Sequence, residues 1–247
     1  MINRQKVNGK IVSPDLARAI KNFDDNLEES HRTKCLEISL LTINLFLESR
    51  CDLEHVQELS IQAALETVPE KICRLVNLKH LFLNDNNLTT LPNDIDNLRN
   101  LITLYVSNNQ LVELPLSIVN LKNLEGLGLR KNNLTKLPIN IGDLAKLTDF
   151  VVYHNQLISL PESICDLLNL TTLEIHHNRL TALPSNIGNM RKITTIKAED
   201  NQLQILPDSI VNLTALKNIE LWDNPIIDLS VLKCIPGLEV NFPNWKP

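Results

Sequence analysis

Residues Leu147 to Asn169 read LTDFVVYHNQLISLPESICDLLN, and Leu170 to Lys192 read LTTLEIHHNRLTALPSNIGNMRK: one 23-residue sentence written twice. Leu147 answers Leu170, Phe150 answers Leu173, and Val152 answers Ile175. Asn155 answers Asn178, Leu157 answers Leu180, Pro161 answers Pro184, and Ile164 answers Ile187. The register extends outward in both directions. Copies begin at Leu78, Leu101, Leu124, Leu147, Leu170 and Ile193. A seventh begins at Leu216 and departs after Asn224, where Pro225 enters. Such a period marks a stacked repeat array, because each unit can bury its apolar face only against its neighbours.

The repeat reads LxxLxLxxNxLxxLPxxIxxLxx, and on those positions the chain resembles the leucine-rich repeat family. The resemblance implies an α/β repeat solenoid, a leucine-rich-repeat horseshoe with a parallel β-sheet on its concave face and an N-terminal helical cap. The residues themselves argue the strand. In LxxLxL the alternating leucines point inward and the residues between them outward. Asn86, Asn109, Asn132, Asn155, Asn178, Asn201 and Asn224 form a column at the turn leaving each strand. An amide donates and accepts at once, so it can satisfy turn backbone on both sides. The Leu-Pro pair sets an extended corner, and PxxIxxLxx returns along the outer face as irregular or short helical turns.

Three domain segments follow. Residues 1–32 read as a flexible lead-in and a helical cap. Ser13-Pro14-Asp15 is a helix start, with Leu16, Ala19, Ile20 and Phe23 at helical spacing after it. Residues 33–237 are the array, degenerate over 33–77 and regular over 78–237. Within it, 33–55 is open between two readings: an apolar helix, or a worn repeat with Leu36, Ile38, Ile43 and Phe46 on the leucine positions. Residues 238–247 close the far end, with a last short strand near Leu238 to Val240.

The bulk composition narrows function. Apolar residues are 43% of the 247-residue chain and aromatics 4%, so the core is aliphatic. A net charge of −5 argues against a nucleic-acid or acidic-membrane surface, which needs cations to displace counterions. The first residues lack an apolar signal core, and no run approaches a membrane span. The five cysteines are scattered with no CxxC, whereas secreted relatives in the family commonly cluster theirs in caps. The expectation is a cytoplasmic, monomeric protein with no cofactor.

Positions 3, 5, 7 and 8 of each repeat face the concave side, and they collect four of the nine aromatics and four of the six histidines. The candidate partner-binding residues are Phe82, Tyr105, Arg130, Lys131, Tyr153, His154, His176, His177, Glu199 and Trp222. Large amphipathic side chains of this kind dominate protein interfaces, and the resemblance places partner binding on this face. Gly126 and Gly128 leave a bare strip there, marking either close approach of another backbone or a tolerated gap. Glu174, Glu199, Asp200, Glu220 and Asp223 against Lys197 make the C-terminal third acidic, suited to a partner with a basic segment.

No nucleophile triad, phosphate loop or GxSxG motif is present. His154, His177 and Asp200 are good zinc ligands by type, but successive strands space them along a line rather than around a point. The reading is therefore a non-enzymatic protein–protein interaction module with no catalytic and no metal site. A bacterial effector delivered into a host cell is its sharper form, and an ordinary intracellular scaffold or signalling regulator the alternative. A metal-dependent hydrolase is the most distant reading.

Overall fold

The computed structural model describes residues 56–243, together with the backbone of three short strands before them, Gln5–Val7, Lys10–Val12 and Cys35–Ile38. The expected helix after Ser13, the remainder of 33–55, and Trp245 lie outside the described residues.

Ten strands stack in chain order into one open sheet, every neighbouring pair parallel. Numbering them after the two N-terminal strands β1 (Gln5–Val7) and β2 (Lys10–Val12), they are β3 (Cys35–Ile38), β4 (Glu58–Ile61), β5 (His80–Phe82), β6 (Thr103–Tyr105), β7 (Gly126–Gly128), β8 (Asp149–Val151), β9 (Thr172–Glu174), β10 (Thr195–Lys197), β11 (Asn218–Glu220) and β12 (Glu239–Asn241). The leucines align across the ladder in the repeat register, as in Leu81 with Leu104 and Leu104 with Leu127. In β3, Leu36 and Ile38 pair with Leu59 and Ile61, the register of a repeat strand. Between β8 and β9 the ladder narrows to one residue pair, Val151 with Glu174.

The leucine positions form one continuous core from Val56 to Ile235, with Phe150 its one fully buried aromatic. The outer face returns through short 3-10 turns such as Asn93–Asn97 and Glu162–Asp166, each entered from an extended proline at φ near −65°. Among the described residues there is no α-helix, so the expected short helical turns are all of the tighter kind.

The buried asparagines stitch the stack. The Asn132 side chain donates to Val106 O at 2.9 Å and Leu129 O at 3.1 Å, and its Oδ1 accepts from Leu111 N at 3.0 Å. Its backbone N–H reaches His154 O in the following repeat at 3.3 Å. The expectation that the amide group itself serves both sides is corrected: the side chain bonds its own turn and the preceding repeat, and the main chain bonds the next.

The residue before each ladder asparagine is left-handed: Asp85, Asn108, Lys131, His154, His177, Asp200 and Asp223 have φ from 50° to 58°. Asn, Asp and His tolerate that region best among non-glycine residues. Backbone geometry therefore accounts for part of what the sequence offered as a metal-like column.

Two differences stand at the edges of the array. Within the stretch expected as a flexible lead-in, Gln5–Val7 and Lys10–Val12 pair as an antiparallel ribbon with Val7 opposite Lys10. Asn8-Gly9 between them is a strong two-residue hairpin signal. The last strand is Glu239–Asn241, one residue beyond the expected one.

Candidate concave binding face

The short strands leave positions 5, 7 and 8 of each repeat side by side on one face, about 4.8 Å apart along the stack. In its C-terminal half the rings meet directly. Tyr153 stacks on His176 with centroids 4.2 Å apart, and His154 stacks on His177 at 4.0 Å with planes 3° apart. Trp222 reaches His177 edge-on at 6.5 Å, although the two belong to strands on either side of β10. Arg130 donates to the Tyr153 hydroxyl at 3.0 Å, extending the array toward β7. Tyr153, His154, His176, His177 and Trp222 are thus one connected surface cluster with Arg130 at its rim.

Phe82 and Tyr105 form a second, separate aromatic pair. Their rings meet edge-to-face at 5.7 Å. The Tyr105 hydroxyl donates to Asp149 Oδ2 at 2.6 Å, two strands away. This bridge pushes the Tyr105 phenol up to about 12, with burial adding to the effect. Its ring lies across the glycines: a Cβ on Gly128 would sit 2.9 Å from Tyr105 Cδ1, and one on Gly126 3.4 Å from Tyr105 Cε1. The strip is not bare, and what approaches the glycines closely is this side chain of the same chain. A shallow cavity of about 350 Å³ lies beside the bridge, lined by Tyr105, Arg130, Asp149 and Tyr153 among others. Lys131 is exposed at the edge of the face and joins neither ring group.

The acidic end is differently built from what charge counting implied. Lys197 donates to Glu174 Oε1 at 2.7 Å, so these two offset one another. Asp200 bonds the His177 ring. Glu199 is buried, with 9% of its side chain exposed, and its Oε2 has no hydrogen-bond partner. His176 Nδ1 is likewise buried and unpartnered, and at 3.9 Å from Glu199 Oε1 no hydrogen bond spans the gap. Burial pushes the His176 imidazole down to about 4, and the neighbouring His177 adds to this. Burial raises the Glu199 carboxyl above its ordinary value. His154 is lowered as well, first by burial and then by His177. A carboxyl group and an imidazole thus face each other inside the surface cluster, and lost hydration disfavours the charged form of each.

Among the described residues, no group of three His, Cys, Asp or Glu side chains is arranged to hold a metal ion. The parallel stacking of His154 on His177 sets their ring nitrogens in separate planes, and the Nδ1 of His177 is taken by Asp200. The Cys73 and Cys165 thiols are pushed up to about 11 and about 12 by burial, which removes them as nucleophiles. No helix of the described residues is long and apolar enough to cross a membrane.

Sequence reasoning passed over two residues. Asp149, the anchor of Tyr105, sits at position 3 of the repeat that defined the register. Glu162, on the outer face, accepts from Ser185 N at 2.9 Å and Asn186 N at 3.2 Å and so clamps adjacent outer turns. An acid following the proline of one repeat, opposite the turn of the next, was the available signal.

Comparison with known proteins agrees with this architecture. The family model described as "Leucine-rich repeat region" matches residues 51–156, and "Leucine Rich Repeat" matches 169–190, together more than half of the chain. No curated protein matches. A leucine-rich-repeat protein of Leptospira interrogans is similar over 84% of this chain and 59% of its own, at 27% identity and TM-score 0.65. Internalin C2 of Listeria monocytogenes is similar over 78% of this chain and 84% of its own, at 28% identity and TM-score 0.64. PEPR1, solved as PEPR1-AtPEP1, is similar over 74% of this chain and 26% of its own, at 27% identity and TM-score 0.63. The chain thus spans about three-fifths of the Leptospira protein's length.

Ten parallel strands and the repeat register together define a leucine-rich-repeat solenoid. The chain belongs to the leucine-rich repeat family.

Proposed function

We propose that the chain is a non-enzymatic interaction module whose concave face binds a basic segment of a protein partner. Tyr153, His154, His176, His177 and Trp222 serve as its anchoring patch. The observation that carries this reading is the connected ring array, which presents large, rigid, partly polar side chains on one face at little conformational cost. Acids at Glu220 and Asp223 beside it favour a cationic guest. That one similar solved structure is a complex, PEPR1-AtPEP1, is in keeping with this.

The buried free thiols fit a cytoplasmic setting. Similarity to a Leptospira and a Listeria protein favours the bacterial-effector form of the reading over the scaffold form. A secretion assay on the source cell separates the two.

The binding reading is tested by selecting peptides on the wild-type protein from a random displayed library. The selected peptides should be enriched in Arg and Lys and should compete with one another. Peptides that bind a Tyr153→Ala, Trp222→Ala variant as well as wild type would remove the concave face from the account.

A further inference from the structure

The buried Oε2 of Glu199, which has no hydrogen-bond partner, is the feature of the concave face that its own neighbours leave unexplained. The rings of Trp222 and His177 meet across the repeat that carries Glu199 and Asp200, since they come from the repeats on either side and still lie 6.5 Å apart. In the sheet register His176, Glu199 and Trp222 are consecutive members of one column, with His177 N bonded to Glu199 O and Asp200 N to Trp222 O. Glu199 Oε2 is buried and without a partner. The one nearby lysine, Lys197, is committed to Glu174, and Glu220 adds a second acid beside it.

We propose that Glu199 is the floor of a socket for a single arginine side chain of the bound peptide, with Trp222 as its movable wall. This inference rests on the concave-face reading above and names the residue class that the face selects. A buried carboxylate oxygen without a partner is costly, and a cation that enters and donates to it offsets that cost. Trp222 is only half-buried and touches His177 through one edge contact, so it swings aside cheaply. Arginine fits better than lysine on two grounds. Its guanidinium is more weakly hydrated, so less is lost on leaving water, and its plane stacks on an indole or imidazole face while its N–H groups reach the carboxylate. Polyamines share the charge but lack the planar fork.

The test uses the full chain with Trp245→Phe, which leaves Trp222 as the one tryptophan of the two. Its fluorescence is titrated with two ten-residue peptides of equal charge, one carrying arginines and one lysines, and with spermine. The arginine peptide is expected to change the Trp222 signal and to bind at least fivefold tighter than the lysine peptide, with spermine failing to displace it. Glu199→Gln, which keeps the shape and removes the charge, is expected to weaken the arginine peptide at least tenfold while leaving the denaturation midpoint unchanged or raised. Equal binding of both peptides, displacement by spermine, undiminished binding to Glu199→Gln, or a loss of stability in Glu199→Gln would each overturn the socket. Trp222→Leu supplies an independent arm: arginine preference over lysine that survives it, read by calorimetry, also overturns the proposal. Library peptides that need Tyr153 but contain no arginine would sink this inference alone and leave the concave-face reading standing.

Discussion

Replacing Asn132 by alanine isolates what the asparagine ladder contributes. The two buried carbonyls that Asn132 bonds are each served twice. Val106 O accepts from Asn109 at 3.1 Å and from Asn132 at 2.9 Å, and Leu129 O accepts from Asn132 at 3.1 Å and from Asn155 at 2.9 Å. Both carbonyls therefore keep one amide in the variant. Leu111 N loses its only partner, the Asn132 oxygen. Asn132 is 6% exposed, so water does not replace it readily. One orphaned buried N–H costs about 1–3 kcal/mol, and weakening two carbonyls adds roughly 1 kcal/mol, for about 2–4 kcal/mol in all. In urea, with a slope of about 1–3 kcal/mol/M, the midpoint should fall by on the order of 1 M. Asn132→Asp should be worse than alanine, because it keeps the acceptor for Leu111 N but aims a charged oxygen at two carbonyls. A midpoint within error of wild type, or an aspartate variant more stable than the alanine one, would refute the ladder as a mid-array support.

Three further outcomes follow from the geometry. A Cβ on Gly142 would sit 2.0 Å from Ser163 O in the next outer turn, so Gly142→Ala should destabilise the chain by about 1–3 kcal/mol, and an unchanged melting curve would show that the outer turns slide freely. Asp149→Asn removes the acceptor charge that holds Tyr105 near 12, so one of the two tyrosines should titrate closer to the ordinary value of about 10 when followed by ultraviolet absorbance; an unmoved titration would sink the bridge across the glycines. His176 is lowered to about 4, so between pH 6.5 and 4 the unfolded chain binds a proton that the folded chain refuses, and this residue makes stability fall as pH falls. His176→Gln should therefore lose less stability than wild type between pH 7.5 and 5, and an equal loss would place the pH sensitivity elsewhere.

The parts of this molecule that were legible in its sequence are those that repeat. Leu81, Leu104 and Leu127 align because identical spacing in every copy leaves one way to bury them, and that register alone puts Tyr153, His176 and Trp222 on the same face. What escaped depends on pairs of residues in different copies. Tyr105 lying across Gly126 and Gly128 to reach Asp149 is a matter of rotamer and reach over two strands. The burial of Glu199 depends on how side chains from several repeats settle around it, which no residue count reports. The left-handed column ending at Asp223 was readable, since Asp, Asn and His recur at position 8, but the pattern was weighed as chemistry rather than as backbone preference. The pairing of Gln5–Val7 with Lys10–Val12 was also legible, since Asn8-Gly9 in the sequence is a hairpin signal.

The central claim is that binding energy sits on the ring cluster of the concave face. It is tested by calorimetry of one selected basic peptide against three proteins: wild type, the double variant Tyr153→Ala, Trp222→Ala, and the exposed outer-face control Arg191→Ala. Tyr153 and Trp222 point away from the leucine core, so all three should show the same denaturation midpoint. The account predicts affinity at least tenfold weaker in the double variant, about 1.4 kcal/mol or more, with the control equal to wild type. A folded double variant that binds the peptide as tightly as wild type would contradict it.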